Sequence, residues 1–132
     1  MKKISFILLT MVLSIGLAMA QQNKDQSGNT KFTKTVHDFG KIAEEVGSAS
    51  CEFVFTNKGT SPILIQDIRT SCGCTTPSYT KEPVLPGKTG VVKVSYSTTN
   101  RVGTFDKKIT VFTNENDVVY TLTIKGEVLP RK

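Results

Sequence analysis

From Lys31 onward the chain alternates apolar and polar positions in short runs, and each run is closed by Gly, Pro or Asn. Alternation with a period of two turns one face of a strand inward and the other to water, and β-branched residues favour it. No stretch keeps a helical period long enough to compete. The first predicted strand covers 32–39 and is ended by Gly40, with a loop rich in Glu and Gly behind it. The second covers 49–56, where Cys51, Phe53 and Phe55 share one face, and Asn57, Lys58 and Gly59 make the turn after it. The third covers 62–68, and its Pro62 suits only a first position or an edge. The fourth covers 90–97, with Val92, Val94 and Tyr96 in phase. The fifth covers 104–113, with Phe105, Ile109 and Val111 in phase. The last covers 118–128, with Val118, Tyr120, Leu122 and Ile124 in phase.

A seventh short strand is expected over 75–79, inside an irregular stretch marked by Pro77, Pro83 and Pro86. Strands with one apolar face, separated by turns at roughly ten-residue spacing, predict an all-β sandwich of about seven strands with an immunoglobulin-like arrangement. The expected inner core is Phe53, Phe55, Val92, Val94, Tyr96, Ile109, Val111, Leu122 and Ile124. The last strand is long and free of proline, so the pattern allows it to lie at an exposed edge.

The first twenty residues break with this pattern. Met1, Lys2 and Lys3 give a positive start, 4–17 is almost wholly apolar, and Ala18, Met19 and Ala20 supply small residues where a signal peptidase reads. This is the pattern of an export signal over 1–20, cleaved after Ala20. The apolar run is shorter than the ~20 residues that span a bilayer, so no membrane anchor is expected after cleavage. No cysteine follows the cleavage point, which argues against a lipoprotein. Residues 21–30 are polar throughout and are expected to form a disordered leader. One domain over 31–132 remains, and the expected location is the periplasm or the exterior.

Composition sharpens this. The formal charge is +6, and cleavage removes Lys2 and Lys3. The rest is modest and scattered, so nucleic acid is not an expected partner. Three cysteines remain, Cys51, Cys72 and Cys74, in a compartment that permits disulfides. An odd count leaves at least one thiol unpaired within the chain.

Several motifs line up with a known family. They are His37-Asp38-Phe39-Gly40-Lys41-Ile42, then Phe53-Val54-Phe55-Thr56-Asn57-Lys58-Gly59, then Ser71-Cys72-Gly73-Cys74-Thr75, then Pro86-Gly87, Gly103-Thr104-Phe105, Val111-Phe112-Thr113-Asn114 and Ile124-Lys125-Gly126. Together they resemble the bacterial family called domain of unknown function 1573 (DUF1573), and more loosely the immunoglobulin-like modules of the ASH and hydin type. The resemblance runs from Phe32 to about Val128. It implies an immunoglobulin-like sandwich in an exported bacterial protein and supplies no reaction.

Cys72-Gly73-Cys74 is the sharpest chemical feature. Gly73 permits a tight turn, so the two sulfurs are expected to lie together in an exposed loop. They can form a disulfide, pack as loop thiols, hold a soft metal, or do redox work. If a metal is held, Cys72, Cys74 and His37 are the candidate ligands, although zinc needs more than two thiolates. Cys-x-Cys is not the Cys-x-x-Cys of thioredoxin-like enzymes. The expected oxidised pair is Cys72 with Cys74, while Cys51 packs as a small buried hydrophobe. The rival is a bridge from Cys51 to the loop.

His37 is the sole histidine, and Asp38 points to the other face of its strand, so no triad is expected. Glu44 with Glu45, and Glu115 with Asp117, are expected to be solvated loop charges rather than a glycosidase pair. There is no nucleophile elbow and no phosphate loop. The expectation is a non-catalytic module, not an enzyme, with no cofactor. It would bind an unknown protein or other envelope partner or act structurally, and its oligomeric state is open. The alternative is a thiol protein handling metal or disulfides through Cys72 and Cys74.

Overall fold

The computed structural model describes residues 28–132, so the expected export signal over 1–20 and most of the expected leader over 21–30 lie outside the described residues. Eight strands form two four-stranded sheets. They are β1 (Thr30–Phe32), β2 (Val36–Ala43), β3 (Ser48–Asn57), β4 (Ile65–Thr70), β5 (Thr75–Tyr79), β6 (Thr89–Ser97), β7 (Gly103–Thr113) and β8 (Val119–Leu129), with a short 3-10 turn over Glu44–Val46. One sheet has the order β1-β3-β6-β5 and the other β2-β8-β7-β4. All pairings are antiparallel except β2 with β8. Their inner faces close on each other as a sandwich.

The nine residues expected inside are all buried, joined by Ile63, Ile65, Val84, Phe105, Tyr120 and Val128. Alternation is the cause: β6 buries Gly90, Val92, Val94 and Tyr96 and turns Lys93 to solvent. Gly90 sits opposite Phe55, and a Cβ there would run into the Phe55 ring. A glycine is what lets this ring lie flat across the neighbouring strand.

The count rises from seven to eight because the first predicted strand is two. Phe32 packs on Phe55 and Tyr120, with ring centroids 5.4 and 5.8 Å away. Phe39 packs on Phe105 at 6.2 Å. Between them the chain changes sheets: the Thr33 N–H donates to the Val54 carbonyl at 2.9 Å, and the Thr35 carbonyl accepts from the Thr123 N–H at 2.8 Å. Gly40 does not end the strand. It sits at a positive φ of 66° inside a bulge between Asp38 and Lys41, and β2 runs on to Ala43. The first strand also starts inside the span expected to be leader, because Thr30 opens β1 and is fully buried.

The last strand is not an edge. β8 lies between β2 and β7, and its length serves two partners. The edge strands are β1, β5, β2 and β4. β1 has three residues, β5 carries Pro77, β2 has its bulge and Lys41, and β4 has a bulge and an Asp67–Arg69 ion pair at 3.0 Å. Each of these features discourages edge-to-edge pairing. Among the described residues no helix is long and apolar enough to cross a membrane.

Candidate functional site

Cys72 and Cys74 lie in the loop that carries the chain from β4, an edge of one sheet, to β5, an edge of the other. The two are joined by a disulfide with Cα atoms 5.2 Å apart. The loop is held by its backbone. The Cys72 carbonyl accepts from the Thr70 hydroxyl at 3.1 Å and from the Thr75 N–H at 3.2 Å, and the Cys74 carbonyl accepts from the Ser97 N–H at 2.9 Å. The Cys74 N–H points at Cys72 Sγ, 3.2 Å away. Cys74 is 3% exposed, whereas Cys72 is half-buried. Gly73 has no positive φ, and a Cβ on it would meet nothing within 4 Å. The turn therefore uses no backbone conformation that only a glycine reaches.

A bridge between residues two apart closes so short a ring that the chain-entropy effect is only about 1–2 kcal/mol, against about 3 for a fifteen-residue loop. It joins two positions of one loop and ties no strand to another. Cys51 stays out of it. Its thiol is free and buried on β3, and burial pushes its pKa up to about 11, with Glu52 adding to the rise and Lys34 opposing it. At neutral pH it is a protonated, inert thiol.

His37 does not join the cysteines. It lies on β2, and the cysteine loop leaves β4, at the opposite edge of the same sheet with β8 and β7 between. Three strand spacings separate the two edges by ~14 Å. His37 Nδ1 accepts from Lys34 Nζ at 2.7 Å, and its ring meets Phe39 edge-on at 4.5 Å. Burial and Lys34 hold its pKa below the usual histidine value, against a smaller opposite pull from Asp38. Asp38 accepts from the Gly40 N–H at 2.8 Å, which fixes the bulge. Among the described residues no group of three or more His, Cys, Asp or Glu side chains is placed to hold a metal.

Glu45 and Asp117 are exposed, but Glu44 and Glu115 depart from the solvated picture. Glu44 is buried and receives Arg131 Nε at 3.3 Å. Glu115 accepts from the Tyr120 hydroxyl at 2.7 Å, the Thr30 hydroxyl at 2.8 Å, the Thr113 hydroxyl at 3.1 Å and the Asn29 N–H. Burial raises its pKa, but these hydrogen bonds outweigh burial and leave it below the ordinary carboxylate value. Sequence reasoning missed this cluster, because Thr30 and Glu115 are 85 residues apart and nothing local links them.

The end of the sandwich that carries the cysteine loop also carries the 3-10 turn, the 98–102 loop and the end of β8. Gly47 O accepts from the Thr98 N–H, Glu44 O from the Thr98 hydroxyl, and Leu129 lies beside Ala43. Val46 is 59% exposed here and Val102 54%, and Leu129 is also exposed. Beneath them Tyr96 stacks on Phe105 with centroids 3.9 Å apart. A separate shallow depression of about 420 Å³ is lined by residues of β2, β7 and β8, among them Asp38, Lys41, Asp106 and Lys125. Phe105 also lines it, and its ring covers Gly126 so closely that a Cβ there would touch it at 3.0 Å.

The model of the family described as protein of unknown function (DUF1573) matches residues 30–128. No curated protein matches the chain. Among solved structures, a protein of unknown function from Porphyromonas gingivalis W83 is similar at a TM-score of 0.65 and 15% identity, over 77% of this chain and 47% of that one. The secreted serine protease VesC from Vibrio cholerae is similar at 0.59 and 15%, over 80% of this chain and 24% of that one. The Vibrio cholerae VesB protease is similar at 0.59 and 14%, over 76% and 32%. The chain thus spans less than half the length of each of these structures, and at such identities the likeness establishes the fold alone.

Proposed function

The chain belongs to the DUF1573 family, and we propose that it is an exported, non-catalytic module that docks a protein of the bacterial envelope through one end of its sandwich. One contrast carries this reading. The shortness of β1, the proline of β5 and the bulges of β2 and β4 discourage strand addition at those edges, while Val46, Val102 and Leu129 are exposed at the end that holds the cysteine loop. Loops on a rigid sandwich are the usual place for recognition, and clustered exposed apolar side chains mark contact surfaces. The absence of catalysis is supported by His37, whose Nδ1 is taken by Lys34. Glu44 and Glu115 are likewise committed to Arg131 and to the Tyr120 cluster.

Export rests on the pattern over 1–20 and places the protein in the periplasm or outside the cell. Envelope material should yield a chain beginning at Gln21 without detergent. An intact Met1, or recovery only with detergent, would overturn export.

Docking is tested by a photo-crosslinking residue placed at Val102 and, separately, at Glu52. Glu52 lies on the part of β3 that β1 leaves uncovered. Capture of an envelope protein from Val102 and not from Glu52 is expected. Capture from Glu52 alone would replace end docking by strand addition. Capture from neither, with folded protein in the envelope, would refute the binding reading. A panel of esterase, peptidase and glycosidase substrates should show no turnover. Turnover lost in His37→Ala would refute the non-catalytic reading.

A further inference from the structure

We propose that the Cys72–Cys74 bridge is a redox-active disulfide that accepts two electrons from a dithiol protein, with Cys72 the sulfur attacked and Cys74 the leaving and resolving sulfur. This goes beyond docking and stands on separate observations.

The bridge is poorly placed to be a staple. It links positions two apart in one loop, and the loop is held without it. The bonds from Thr70, Thr75 and Ser97 all end on the backbone carbonyls of Cys72 and Cys74. Opening the sulfur–sulfur bond leaves every one of them in place. The fold therefore tolerates both redox states, as a reversible site requires.

The two sulfurs are also unequal. Cys74 is 3% exposed and lies against the Thr75 hydroxyl, whereas Cys72 is only half-buried. Disulfide exchange needs attack on one accessible sulfur, and here that sulfur is Cys72. The Cys74 N–H directed at Cys72 Sγ is a donor already aimed at the atom that carries negative charge when Cys72 is a thiolate. A backbone N–H so placed makes Cys72 both the better leaving thiolate in the second step and the attacking thiolate in the reverse direction. Cys51 is kept apart as a buried, protonated thiol and offers no competing partner.

The exchange balances with a dithiol as reductant. A thiolate of the partner attacks Cys72 Sγ and a partner–Cys72 sulfur bond forms. The Cys72–Cys74 bond breaks, and its electron pair leaves on Cys74 Sγ, which takes up a proton. The partner's second thiolate then attacks the partner's own sulfur in the mixed disulfide. A disulfide forms in the partner and Cys72 departs as a thiolate. The partner loses two electrons and the loop gains them as a dithiol. Run backwards, the reduced loop reduces a partner disulfide.

The test incubates the native, oxidised protein with dithiothreitol and with a reduced Cys-x-x-Cys dithiol protein as probes, followed by alkylation and peptide mass mapping. Reduction of the loop with the β-sheet circular dichroism unchanged is expected. Alkylation of Cys72 in the reduced protein should then be faster than that of Cys74 by on the order of tenfold. With the Cys-x-x-Cys protein supplied instead in its oxidised, disulfide form, the lone Cys72 thiolate of Cys74→Ser should attack that disulfide and accumulate a mixed disulfide, the displaced partner sulfur leaving as a thiol, and Cys72→Ser should accumulate none. Reduction only under denaturing conditions, equal alkylation of the two sulfurs, or an equal yield of mixed disulfide from both variants would overturn the proposal. Should Cys74→Ser fail to fold, the alkylation order in the wild-type protein decides the question alone.

Discussion

Glu115 shows how much one side chain can organise here. Its carboxylate gathers Tyr120, Thr113, Thr30 and the Asn29 N–H, and so fastens the start of β1 to the turn between β7 and β8. Replacing it by Gln removes the charge that strengthens these bonds and should cost ~1–3 kcal/mol in urea unfolding. The pKa of Glu115 is lower in the folded state than in the unfolded one. Its contribution is therefore complete above the ordinary carboxylate value of about 4.3 and is lost as pH falls below that. The wild-type protein should lose stability over this acid range, and Glu115→Gln should lose less. Tyr120 behaves in the opposite sense. Burial, and the hydrogen bond to Glu115, raise its hydroxyl to about 12, so its contribution persists at lower pH and fades as pH climbs from about 10 towards that value. At Gly90 the constraint is steric. Gly90→Ala drives a methyl into the Phe55 ring and should cost ~1–3 kcal/mol. Phe55→Ala, which empties the same contact, should cost ~3–5. A Phe55→Ala protein that melts like the parent would show that this face is not the core.

At the scale of elements, β1 is the piece with the least of its own to hold it. Three residues pair with β3, and the rest of its anchorage is Phe32 against Phe55 and Tyr120, plus the Glu115 bonds. Short edge elements open before the global transition. Amide exchange at Phe32 and Thr33 should accelerate in Phe32→Ala and in Glu115→Gln, while exchange within the β7–β8 pairing stays slow. Equal acceleration across both sheets would mean that β1 does not open by itself. The bulge in β2 has a different role. Gly40 at positive φ and the Asp38 bond to its N–H interrupt a regular edge beside β8. Gly40→Val should strain this backbone and cost ~1–3 kcal/mol, read from the urea midpoint.

For the whole molecule, stability resides in the two sheets and their shared core rather than in the covalent link. The double variant Cys72→Ser, Cys74→Ser should lose no more than about 2 kcal/mol, because the ring it opens is so short. A loss of 4 kcal/mol or more in thermal or urea unfolding would make the bridge structural after all. The two ends of the sandwich also differ in character. One carries Glu115, Asn57 and Asn114 side chains bonded to backbone, with Leu85 and Val119 exposed beside them, while the other carries Val46, Val102 and the cysteine loop.

The alternation of Phe53 with Phe55, of Val92 with Val94, and of Leu122 with Ile124 was enough to specify strands, their inward faces and a sandwich. Burial has a period of two wherever one face of a sheet is wet. The boundaries of β5 and the family resemblance were legible for the same local reasons: punctuation by Pro and a compact Ser-Cys-Gly-Cys-Thr segment. Pattern does not record which strand stands beside which. Only the packed structure split the first predicted strand between two sheets, because Phe32 and Phe39 bury against different partners. It moved the last strand to the middle of its sheet, since parallel pairing with β2 depends on contacts 86 or 87 residues apart in sequence. It separated His37 from the cysteines by placing β2 and β4 at opposite edges. It also turned Glu44 and Glu115 from loop charges into bonded, partly buried groups, because a carboxylate's environment is set by whatever the rest of the chain brings to it.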